Sequence, residues 1–107
     1  MQRYGMVIGL KPEAVGKYRA CHAAVPPEVL ATIGRCNIRN YSIYLKDNML
    51  YSYFEYHGTD FAAAMAAMAA DPATQRWWAL IMPMQAPVAT RREGEWWAGM
   101  EEVFHQD

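Results

Sequence analysis

The sequence predicts an α+β fold: a ferredoxin-like antiparallel sheet with helices on one face, forming a dimeric α/β barrel. Three observations carry this. Strand-period alternation occurs at residues 2–10, 38–45 and 49–56. The segments between them are helical in character and punctuated by proline and aspartate, in the order β-α-β-β-α-α-β. The third strand is apolar or aromatic on both faces, so the sheet face without helices needs a covering, and a homodimer formed sheet to sheet is expected. At 107 residues the chain makes one domain over residues 1–107, with one core.

In the first strand, Gln2 to Leu10, Tyr4, Met6, Ile8 and Leu10 share one face, and Arg3, Gly5, Val7 and Gly9 the other. Two glycines on one face mark either a close approach of backbone or a ligand cavity. Helical character runs from about Pro12 to Ala24, is interrupted at Pro26-Pro27, and resumes from about Pro27 to Arg35, with Asn37 placed to cap it in a left-handed conformation. The second strand, Ile38 to Leu45, puts Tyr41, Ile43 and Leu45 on one face, and Lys46-Asp47-Asn48 turns it into the third, Met49 to Tyr56. Thr59 or Asp60 caps a helix reaching Ala70, with Phe61, Ala64, Met65 and Met68 on one stripe. Asp71-Pro72 opens another helix, to about Met82. Pro83 and Pro87 mark a loop, Val88 to Trp96 has no clear period, and Met100 to His105 reads as a short last strand.

Composition excludes several classes of function. Hydrophobic residues make up 53% and charged residues 20%, a globular balance. The net charge is −1 and the basic residues are scattered, which leaves no footprint for nucleic acid. No apolar run approaches the ~20 residues that span a bilayer. The N-terminal residues lack a basic stretch followed by an apolar one, so a cytoplasmic chain is expected. Cys21 and Cys36 have no CxxC spacing and are expected as thiols. Metal-ligand spacings, glycine-rich phosphate loops and the nucleophile elbow are all missing, so neither metal nor cofactor is expected.

The residues able to do chemistry are few. Tyr18 and His22 lie four apart on a helix and project from the same side. Helix faces often carry such a pair as packing, but a histidine exchanges protons near neutral pH and a tyrosine offers a hydroxyl donor. Trp77 and Trp78 are helical neighbours pointing ~100° apart, so one can pack inward while the other lines a pocket. An indole face suits the apolar C–H face of a sugar, and both can equally be structural. Trp96-Trp97 reads as core or dimer interface, and His57 and His105 as structural or solvated.

Read together, Tyr18-xxx-His22, Asn40-Tyr41-Ser42-Ile43-Tyr44-Leu45, Gln75-Arg76-Trp77-Trp78 and Glu101-Glu102-Val103-Phe104 resemble, in order and spacing, the L-rhamnose mutarotases over nearly the full chain. The resemblance implies a dimeric fold of the type above and a metal-free monosaccharide site. It further implies that Tyr18, Tyr41, Trp77 and Trp78 contact sugar, with His22 as proton donor. One departure stands out: where the family usually has tryptophan before proline-glutamate, this chain has Pro26. A small rigid wall there implies a wider or differently closed pocket. Cys36-Asn37-Ile38-Arg39 resembles a variant branch that acts on L-fucose. Alternatives to an L-rhamnose mutarotase are therefore an L-fucose mutarotase, a non-catalytic dimeric sugar-binding module, or a cofactor-free monooxygenase of the dimeric α+β barrel type.

Overall fold

The computed structural model describes residues 1–107. Its elements are β1 (Gln2–Leu10), α1 (Val15–His22), α2 (Pro27–Arg35), β2 (Ile38–Lys46), β3 (Met49–Tyr56), α3 (Phe61–Ala70), α4 (Pro72–Ile81), β4 (Gln85–Ala86) and β5 (Ala98–Met100), with 3-10 turns at Pro12–Ala14 and Met82–Met84. The strands form one antiparallel sheet in the order β2-β3-β1, with both β4 and β5 on the free edge of β1. This is the ferredoxin-like arrangement expected from the element order.

Local chemistry explains the boundaries. The helix expected from Pro12 begins instead as a tight turn, with the Ala14 N–H donating to the Lys11 carbonyl at 2.9 Å, and only then becomes α1. Asn37 takes φ 64° just past α2, the left-handed position an asparagine tolerates. Asp47 and Asn48 both have positive φ, which matches a two-residue hairpin loop to the twist of β2 and β3. Asp60 caps α3 by accepting from the Ala63 N–H, and Asp71 caps α4 by accepting from the Thr74 N–H at 2.9 Å.

Helices cover one sheet face. Ile8, Leu10 and Leu50 pack there with Tyr18 of α1, Ile81 of α4 and Met84. A second cluster joins Ile38, Phe54 and Tyr56 to the expected stripe of α3, Phe61, Ala64, Met65 and Met68. Between Arg39 and Ser42 the pairing of β2 with β3 slips by a β-bulge. Two residues, Asn40 and Tyr41, then oppose Phe54 alone, and the extra residue turns Tyr41 onto the helix-covered face with Ile43 and Leu45.

One reading is corrected. The last strand is Ala98–Met100, and residues 101–107 form no regular element. Val103 (86% exposed) and Phe104 (78%) gave that stretch its strand-like look without packing on this chain's core. Of the two readings of the glycine face of β1, the close approach of backbone is the one seen at Gly9. A Cβ on Gly9 would lie 2.6 Å from the Ala86 carbonyl oxygen, so this glycine admits the backbone of β4. The fourth strand position is filled by two short pieces, because the chain leaves the sheet after Ala86 and returns at Ala98.

The other sheet face is open. Tyr44 (65% exposed), Tyr51 and Met100 stand on it without a covering layer.

Candidate active site

The residues singled out on α1, β2 and α4 meet in part. Tyr18 is buried, and its ring stacks on His22 with centroids 4.1 Å apart. The half-buried His22 ring meets the edge of Trp77 at 5.1 Å. One turn of helix makes the first contact and the packing of α1 against α4 the second.

His22 Nδ1 lies 2.9 Å from the carbonyl oxygen of Tyr18. A carbonyl only accepts, so Nδ1 carries the hydrogen and donates it. Nε2 makes no hydrogen bond in the structure and is the nitrogen left for proton exchange.

The Tyr41 ring meets Phe54 edge-on at 5.6 Å. Burial of its phenol, and then the charge that Tyr18 would carry, raise its pKa to about 12. Tyr41 is nevertheless 43% exposed. The side chain is open to solvent on one flank while its hydroxyl stays protonated at neutral pH. Burial also raises the Tyr18 phenol, and a hydrogen bond from Gln85 works against that. Trp78 is half-buried and stacks on none of these rings, so the Tyr18–His22–Trp77 cluster has one of the two adjacent indoles.

One side chain of the site had no signature in the sequence. Gln85 of β4 is buried at 5% exposure, and its Nε2 lies 3.4 Å from Tyr18 Oη. Its Oε1 accepts from Trp96 Nε1 at 2.8 Å. Trp96 and Trp97 both pack against the core, the first of the two places expected for them.

A recess of about 350 Å³ opens between the end of α1, the start of α2 and α4. This volume suits a small molecule. Trp77, Pro26, Glu28 and Arg76 are among its lining residues. Neither Tyr18 nor His22 lines it, so it adjoins the aromatic cluster through Trp77. A more open hollow of about 710 Å³ lies within residues 87–96 and shares no lining residue with that cluster. No group of three or more His, Cys, Asp or Glu side chains is gathered for a metal ion.

A family model described as L-rhamnose mutarotase matches residues 3–106. The chain belongs to the L-rhamnose mutarotase family. Mutarotases are isomerases that interconvert the anomers of a sugar. Among related chains, the L-rhamnose mutarotase of Oceanobacillus iheyensis is 28% identical and aligns over 100% of both chains. That of Sinorhizobium fredii is 29% identical over 98% of each. The crystal structure of an L-rhamnose mutarotase from Formosa agariphila superposes over the full length of both chains with a TM-score of 0.77 at 18% identity. The tetracenomycin F2 cyclase of Streptomyces glaucescens does so with a TM-score of 0.70 at 15% identity. At such identities the two structures speak for the fold alone, and both agree with the α+β sheet described above. No helix is long and apolar enough to cross a membrane.

Proposed function

We propose that this mutarotase interconverts the α and β anomers of L-rhamnose by proton transfer at His22, as a cytosolic homodimer. The observation that carries the reading is the Tyr18–His22–Trp77 cluster, in which the Tyr18 carbonyl holds Nδ1–H and leaves Nε2 free. In the imidazolium form, Nε2–H delivers a proton to the ring oxygen as the C1–O5 bond breaks. The C1 hydroxyl loses its proton and becomes the aldehyde. Rotation about C1–C2 and reclosure on the opposite face give the other anomer, and the reverse proton transfers restore His22. After donation the neutral imidazole keeps its hydrogen on Nδ1, the tautomer the carbonyl already holds, so the ring need not turn during the cycle.

Tyr41, with its pKa near 12, acts as a neutral donor rather than the base. Water takes the C1 hydroxyl proton, and a backbone carbonyl can hold that hydroxyl by accepting its hydrogen bond. Tyr18 orients the sugar, and Trp77 offers an indole wall to its C–H face, with Trp78 beside it. The uncovered face bearing Tyr44, Tyr51 and Met100 supports the dimer, and the free thiols of Cys21 and Cys36 support the cytosol.

The test is anomer exchange of L-rhamnose followed by proton NMR, with L-fucose in parallel. Wild type speeds exchange of L-rhamnose more than that of L-fucose. His22→Ala loses roughly 10² to 10⁴-fold, the usual contribution of general acid–base catalysis. Exchange as fast with the variant as with wild type removes His22 from the mechanism, and faster exchange of L-fucose reassigns the sugar.

A further inference from the structure

An indole nitrogen has a hydrogen and no lone pair to offer, so Trp96 Nε1 can only donate. Its partner on Gln85, 2.8 Å away, must therefore be the amide oxygen. That fixes which way round the buried amide sits, and the NH₂ group is left facing Tyr18 Oη at 3.4 Å. An NH₂ only donates, so the phenol oxygen receives there. One acceptor position of Oη is taken, and its own hydrogen must point elsewhere. Tyr18 packs in a cluster with buried apolar residues of β1, β3 and α4, and the His22 ring stacks on its face. The buried side chains of that cluster offer no oxygen or nitrogen acceptor, and Tyr18 Oη donates to no group of the chain, which leaves its hydrogen for a bound ligand.

We propose that Gln85 is a positioning residue: held in one orientation by Trp96, it turns the Tyr18 hydroxyl so that it donates a hydrogen bond to the bound sugar. The inference rests on the mutarotase reading of the same site and adds a direction to one of its bonds. Without the relay, the Tyr18 hydroxyl could equally accept, and the sugar would lose a fixed donor. The bond to Oη is long, so its contribution lies in the orientation it enforces more than in its strength. The hydrogen bond to Gln85 also works against the upward shift that burial imposes on Tyr18, as donation to the phenol oxygen requires.

Gln85→Glu tests the idea. A carboxylate still accepts from Trp96 but cannot donate to Tyr18, so the hydroxyl turns inward to donate to it. The expected result is at least a tenfold fall in kcat/KM for anomer exchange. The ratio of variant to wild type should recover as the pH falls and the introduced carboxyl gains a proton that it can donate. In a Tyr18→Phe background the same change should leave the rate unaltered, because no hydroxyl remains to be turned. Trp96→Phe, which frees the amide to flip, should give a smaller loss that also vanishes with Tyr18→Phe, and serves if Gln85→Glu does not fold.

A pH-independent ratio, or equal losses in both backgrounds, overturns the relay. If wild type does not accelerate exchange at all, the mutarotase reading fails instead. The amide orientation is then still read from the Trp96 indole N–H resonance. That resonance should move upfield in Gln85→Met and hold its place in Tyr18→Phe; no movement in Gln85→Met overturns the relay.

Discussion

Asn40 shows how much one backbone angle decides. Its φ of 51° lies in the left-handed region, and the bulge it helps form turns Tyr41 toward the helices. Asn40→Val should cost roughly 1–2 kcal/mol for the left-handed conformation alone, measured by urea unfolding. It should also raise KM for L-rhamnose, because Tyr41 loses its aim. Asn40→Gly keeps the angle and should leave KM near wild type. The same asparagine donates to Glu55 Oε1 at 2.7 Å, an oxygen that His57 Nε2 also approaches, while the Tyr53 hydroxyl donates to Oε2. The hydrogen bond with His57, then those from Asn40 and Tyr53, lower the Glu55 carboxyl from 4.5 to about 2. A lowered carboxyl favours the fold when ionised. This stabilisation should be fully present above pH 4.5 and should disappear as the pH falls toward 2. Thermal melts across that window should show Glu55→Gln losing less stability than wild type.

At the scale of elements, Gly9 and β4 belong together. Gly9→Ala would drive a Cβ into the Ala86 carbonyl, and the rigid backbone of β4 must then move. Overpacking of this kind costs about 1–3 kcal/mol. Because Gln85 precedes Ala86, a fall in exchange rate should accompany the lower melting temperature. Asp71→Ala should cost about 1 kcal/mol by removing the cap of α4, yet leave kcat/KM within a few-fold of wild type at a temperature where the variant is folded.

These cases also mark what a reader of the sequence can and cannot see. The strands β1, β2 and β3 announce themselves by alternation, and α4 by Asp71-Pro72, because these signals repeat or act locally. The strands β4 and β5 are too short to show a period. Gln85 looks like any loop glutamine until the fold places Tyr18 and Trp96 on either side of it. The Tyr18–His22 contact was visible as a helical spacing, whereas the choice between Trp77 and Trp78 needed the rotation of α4 against α1.

For the whole molecule, the uncovered sheet face sets the expectation. Tyr44→Glu places a charge where a second sheet would lie. It should shift the protein from dimer to monomer in sedimentation velocity, while circular dichroism stays unchanged. A monomeric wild type at assay concentration argues against the homodimer. The fold also keeps reactivity and shape on separate pieces of chain. His22, Tyr41 and Trp77 are anchored in the regular scaffold, while Trp96 arrives on the excursion between β4 and β5. Exchanging that excursion among relatives would alter the support that Trp96 gives Gln85 and leave His22 in place, so under the proposed mechanism selectivity can drift in evolution without the chemistry having to be invented again.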